Sequence, residues 1–124
     1  MLLASFAILG VTLLLGIALA SFYLATAAKS RPPWMLSAAH GLFALCGYAV
    51  LVTALQGTRR GNAGGAGSFG LIAASLLGVA LLLGLGLVTA RLRRRRTPPM
   101  VVGLHATLAV AGFVILTAYA SIPG

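Results

Sequence analysis

The sequence predicts an all-α integral membrane protein, a four-helix bundle of four transmembrane helices formed by tandem duplication of one helical hairpin. Three observations carry that expectation. Of the 124 residues, 60% are hydrophobic, too many to wrap one core in a wetted surface. The apolar residues fall into four runs long enough to cross a bilayer, and every one of the nine Lys and Arg lies between runs. Finally, the second half of the chain repeats features of the first in the same order.

Helix 1 is expected over about 2–28, an unbroken apolar run ending at Lys29. At about 1.5 Å per residue it spans a hydrocarbon layer of about 30 Å with some tilt. A secretory signal peptide is the rival reading, because Ala25-Thr26-Ala27 resembles a cleavage site. The basic leader is missing and the run is about twice the usual length, so the segment is retained as a helix. Helix 2 is expected over 34–56. Pro32-Pro33 suit its first turn, where no backbone donor is needed, and Trp34 anchors it at the interface. A Gly-rich loop carrying Arg59 and Arg60 leads to helix 3, over 68–90. Arg91 and the run Arg93 to Arg96 close that helix, complementing its C-terminus. Pro98-Pro99 start helix 4, over 100–120.

The repeat is read from two matches. Gly10-Val11-Thr12-Leu13-Leu14-Leu15-Gly16 matches Gly78-Val79-Ala80-Leu81-Leu82-Leu83-Gly84 at six of seven positions, at an offset of 68 residues. Helices 2 and 4 share Pro-Pro, an apolar spacer and His-x-x-x-Ala-x-x-Gly-aromatic, ending in Tyr48 and Phe113 and offset by 65 residues. A single membrane domain, 1–124, thus contains repeat 1 (1–56) and repeat 2 (68–121). Two spans per unit keep both copies in one orientation, a parallel repeat about an axis along the membrane normal.

Seven cations follow helices 1 and 3, whereas Arg59 and Arg60 make two on the other side. The positive-inside rule then puts both termini on the outer, periplasmic side of an inner membrane and the basic loops in the cytoplasm. The arginine cluster serves as a topological anchor in contact with anionic lipid, not as a nucleic-acid site. With no Asp or Glu, proton-coupled carriers and paired-carboxylate hydrolases lose their usual acid. Cys46 stands alone mid-helix and reads as packing.

His40 and His105 are the chemistry-bearing residues. They enter from the same side, about 9–10 Å along parallel helices, so their imidazoles can approach one point from opposite sides. Two nitrogen ligands at opposite poles suit a haem iron. A bare zinc or copper ion would want three or four protein ligands, and carboxylates are lacking. His40, Ala44 and Gly47 share one helix face, as do His105, Ala109 and Gly112. These small residues are expected to leave a flat slot with its glycine about 10 Å deeper than the histidine. Propionates would turn toward the basic side, where Lys29, Arg31 and the cluster Arg91 to Arg96 lie, with Arg31 and Arg93 the expected contacts.

One axial histidine on each of two helices, with a glycine two turns deeper, resembles the membrane b-type cytochromes and the haem-bearing membrane anchors of respiratory oxidoreductases. The resemblance implies one haem b held by His40 and His105 near the cytoplasmic face. It further implies single-electron transfer, commonly to or from quinone, as subunit or partner of a larger membrane redox complex or in a homo-oligomer, without catalysis by the chain alone. Many of those cytochromes stack two haems, whereas the outer half here has no histidine. The alternative is a cofactor-free accessory subunit of a membrane complex, in which the histidines hydrogen-bond neighbouring helices and the small residues permit close packing.

Overall fold

A computed structural model describes residues 1–27, 29–57 and 67–123 and contains four α-helices: α1 (Leu2–Ala25), α2 (Trp34–Leu55), α3 (Gly67–Leu92) and α4 (Pro99–Ala120). Each is long and apolar enough to cross a membrane, and the protein is a four-helix membrane bundle. Their outer faces suit lipid, since Leu14 and Leu82 on α1 and α3 are each 67% exposed. Arg59 and Arg60, on which part of the orientation rests, lie outside the described residues.

The helix ends differ from the sequence expectation for local reasons. α1 stops at Ala25, short of residue 28, because Ala27 turns into the left-handed region at φ 48° and donates its N–H to the Leu24 carbonyl. α3 runs two residues past Ala90. It closes when Arg94 adopts φ 54°, with Arg94 N–H donating to Arg91 O and Arg95 N–H donating to Ala90 O. That pair of bonds satisfies carbonyls the helix leaves open, the Schellman arrangement, here without its usual glycine. Arg91 consequently belongs to the last turn of α3. At the other end of the connections, Pro33 and Pro98 are the N-caps of α2 and α4. His40 and His105 are then each the seventh residue of their helix, and the two imidazoles start at equal depth.

Within each hairpin the helices pack closely, α1 on α2 and α3 on α4, and the hairpins meet less extensively along α2–α3 and α1–α4. This order around the bundle sets α2 and α4 across from one another. The packed core contains Leu9, Leu51, Ala73, Ala74, Leu77, Leu116 and Tyr119, with Phe6, Tyr48, Leu55 and Phe113 against it. Leu9 and Leu77 stand 68 residues apart and Leu51 and Leu116 stand 65 apart, the offsets of the two sequence matches. All of these residues come from the first half of α1 and α3 and the second half of α2 and α4, the half remote from Arg31 and from Arg91 to Arg96.

The other half is packed differently. Between residues 13–25, 34–46, 81–92 and 99–111 no described residue is buried. A hydrophobic core therefore holds one end of the bundle, and the histidines lie in the end that has none.

Candidate functional site: the histidine pair

On α1, Leu9, Thr12 and Gly16 follow helical spacing along one face, and Leu77, Ala80 and Gly84 do the same on α3. Each face receives the histidine of its hairpin partner. His40 Nδ1 lies 3.0 Å from the Thr12 carbonyl oxygen and His105 Nδ1 lies 2.7 Å from that of Ala80. A carbonyl oxygen only accepts, so each Nδ1 carries the proton and donates it. In that tautomer the lone pair is on Nε2. Hydrogen-bonding one imidazole nitrogen to a carbonyl while leaving the other unprotonated is the arrangement that orients histidine metal ligands.

Glycine gives each ring its place. A Cβ at Gly16 would stand 3.0 Å from His40 Cε1, and one at Gly84 would stand 3.1 Å from His105 Cε1. Both rings lie against bare backbone, which fixes their orientation as firmly as the hydrogen bonds do. The imidazoles are neighbours in a T-shaped arrangement, with centroids 6.1 Å apart and planes 80° apart. Metal–imidazole bonds of about 2 Å in a linear nitrogen–metal–nitrogen arrangement hold ring centres about 6 Å apart. Among the described residues, the buried side-chain polar atoms without a partner are Ser5 Oγ and Tyr23 OH, so neither Nε2 is sealed away unsatisfied. No group of three or more His, Cys, Asp or Glu that could hold a metal ion occurs among the described residues.

The remaining expected site residues divide. Ala44 and Ala109 are half-buried on the histidine faces. Gly47 and Gly112 are buried against the neighbouring helix of their hairpin. A Cβ on Gly47 would stand 2.9 Å from Leu9, and one on Gly112 would stand 2.8 Å from Leu77. Their bare backbones admit the neighbouring leucine and draw each hairpin together. Arg31 and Arg93 are exposed in the connections. The cation that reaches into the bundle is Arg91, which donates to the Pro32 carbonyl at 2.9 Å and to Ser37 Oγ at 3.0 Å and so ties α3 to the start of α2.

Gly16, Gly84, Thr12 and Ala80 were visible in the sequence only as members of the matched segments of α1 and α3, with nothing linking them to the histidines. Deeper in the membrane the hairpins close on each other through equivalent contacts. Phe113 of α4 lies 3.6 Å from where a Cβ on Gly10 of α1 would be, and the Tyr48 hydroxyl of α2 lies 2.6 Å from the corresponding point on Gly78 of α3. Phe113 also stacks on Phe6 at 5.1 Å. These aromatics bound the histidine region on its deep side, and the Arg91 tie bounds it toward the loops. No protein-family model, no curated protein and no solved structure matches this chain.

Proposed function

We propose that this chain is a small membrane b-type cytochrome that holds one haem b between His40 and His105 and passes single electrons within a larger membrane redox complex. The observation that carries the reading is the neighbouring imidazole pair, 6.1 Å apart, with both Nδ1 atoms engaged by backbone carbonyls. The coreless half of the bundle around that pair adds to it, since a flat apolar macrocycle would supply the missing packing. Bound there, haem supplies a one-electron couple. The chain's residues hold it from both faces, with the Thr12 and Ala80 carbonyls setting imidazole orientation and basicity. His40 and His105 would together hold the group, and held by both it would supply electron transfer rather than oxygen or substrate chemistry.

The basic loops favour a cytoplasmic position for the histidine end of an inner-membrane protein, with both termini periplasmic. One such site near one face cannot conduct electrons across the whole bilayer. A partner carrying further redox centres, or quinone reaching the site from the lipid, completes the path. The matched 68- and 65-residue offsets of the core contacts favour an origin by hairpin duplication.

The test is the visible spectrum of purified protein, oxidised and reduced, from cells supplied with a haem precursor. A Soret band with low-spin features is expected in the wild type. It should be lost in His40→Ala and His105→Ala while both variants still insert; a wild type without the band would falsify the proposal. The second reading, a cofactor-free accessory subunit, is favoured by the satisfaction of each Nδ1 within its own hairpin, which a structural histidine also achieves. It predicts a colourless wild type whose histidine variants fail to assemble.

A further inference from the structure

The coreless half contains two polar groups without a counterpart in the chain. Arg91 is half-buried on α3, seven residues beyond Gly84 and on the same helix face. It spends two N–H groups on Pro32 and Ser37, both neutral partners, and a guanidinium has five. Its charge is uncompensated, because the chain has no Asp or Glu at all. A charge partly withdrawn from water is favoured by a paired anion, and no acidic side chain of this sequence supplies one. Tyr23 occupies the equivalent place on α1, seven residues beyond Gly16, and its hydroxyl is buried with no hydrogen-bond partner. A phenol so placed has a proton to donate and no acceptor among the described residues.

Seven residues of helix displace these two groups about 10 Å from the glycines that seat the histidines, toward the basic loops. That is about the reach of an acidic substituent from the centre of a porphyrin. Haem b carries two such arms, both on one edge of the ring. We infer that Arg91 and Tyr23 are the anion partners of this site, each taking one haem propionate. This rests on the proposal that His40 and His105 hold haem. It replaces Arg31 and Arg93, which are exposed, with two residues that the fold places on the inward faces of α1 and α3. The arrangement also sets the direction of the cofactor. Held in this way, its carboxylates would lie toward the basic loops and its apolar edge toward Phe113 and Tyr48.

The same anionic oxygen chemistry is offered by a lipid phosphate, and the experiment separates the two sources. Haem-free protein in neutral, lipid-free detergent is titrated with haem and with its dimethyl ester, which lacks both charges, and the Soret band is read in each case. Arg91→Gln is expected to raise the haem dissociation constant about tenfold or more and Tyr23→Phe about fivefold, with little change for the ester in either variant. Equal losses for haem and ester would make Arg91 a helix tie only and overturn the inference, as would unchanged haem affinity in both variants. A defect that appears only when phosphatidylglycerol is added, and is the same for both ligands, would assign the counter-anion to lipid and also overturn it. If the wild type binds neither ligand, the histidine assignment itself falls and takes this one with it. Tyr23→Phe removes one oxygen and keeps the ring, so its result stands even if Arg91→Gln unfolds.

Discussion

A proton on Nδ1 is what makes each histidine usable. Because the acceptors are the Thr12 and Ala80 carbonyls, the side chains at positions 12 and 80 are free to differ, and they do, as Thr and Ala. Thr12 turns its own hydroxyl back to the Ile8 carbonyl at 2.9 Å and takes no part in the pairing. Position 16 has no such freedom. Gly16→Leu or Gly84→Leu would drive a branched side chain into the imidazole it now supports. Overpacking of that kind costs about 1–3 kcal/mol, so on the proposal that the histidines hold haem, its occupancy, measured as Soret absorbance, should fall about tenfold while helix content by circular dichroism is kept. Ser5 shows the opposite case. It is fully buried with an unpartnered Oγ, and its counterpart 68 residues on is Ala73. Removing an unsatisfied buried hydroxyl relieves a cost of about 1 kcal/mol, so Ser5→Ala should raise the thermal midpoint in detergent. A lowered midpoint would show that the hydroxyl has a partner in the membrane.

At the scale of helices, glycine position decides which pairs approach closely. Gly47 and Gly112 set the spacing inside the hairpins, and Gly10 and Gly78 set it between them, each admitting a larger side chain from the facing helix. Small residues serve membrane helices in this way because apolar burial gives no preference for protein over lipid and packing must supply the attraction. Gly47→Ala and Gly112→Ala should each destabilise the bundle by about 1–3 kcal/mol. Gly41→Ala and Gly103→Ala, where a Cβ meets nothing within 4 Å, should be neutral or slightly stabilising through helix propensity. Unfolding in graded denaturing detergent compares the four variants directly. The element boundaries were largely legible in sequence, because proline marks the starts of α2 and α4 and length marks the spans. The ends of α1 and α3 were not, because Ala27 and Arg94 adopt left-handed backbone with neither glycine nor asparagine to announce it.

Across the whole molecule, one end is closed by a hydrophobic core and the other is held by the histidine pair and the Arg91 tie. The packed half carries the buried residues, and the half with the histidines contains none among the described residues. Charge sets how this object faces. With seven cations after helices 1 and 3 and two in the central loop, a C-terminal alkaline phosphatase fusion should be active and a C-terminal green fluorescent protein fusion dark. Neutralising Arg93 to Arg96 should produce a mixture of both signals. The reverse pattern in the unaltered chain would place the histidine end on the periplasmic side.

Much of this protein is determined by sequence alone. Run length, the absence of acids and the placing of the cations are one-dimensional properties, and they suffice for four spans, a bundle and two equivalent histidines at one depth, since a helix converts residue number directly into height. What sequence could not determine is which small residue touches which neighbour, because that depends on the rotation of each helix about its axis. The bundle settles it: Gly47 and Gly112 meet leucines, Gly16 and Gly84 meet the histidines, and Arg91, not the exposed Arg31 or Arg93, reaches the interior. Rotation is set by packing against helices distant in the chain, and so only the tertiary structure decides what surrounds the histidine pair.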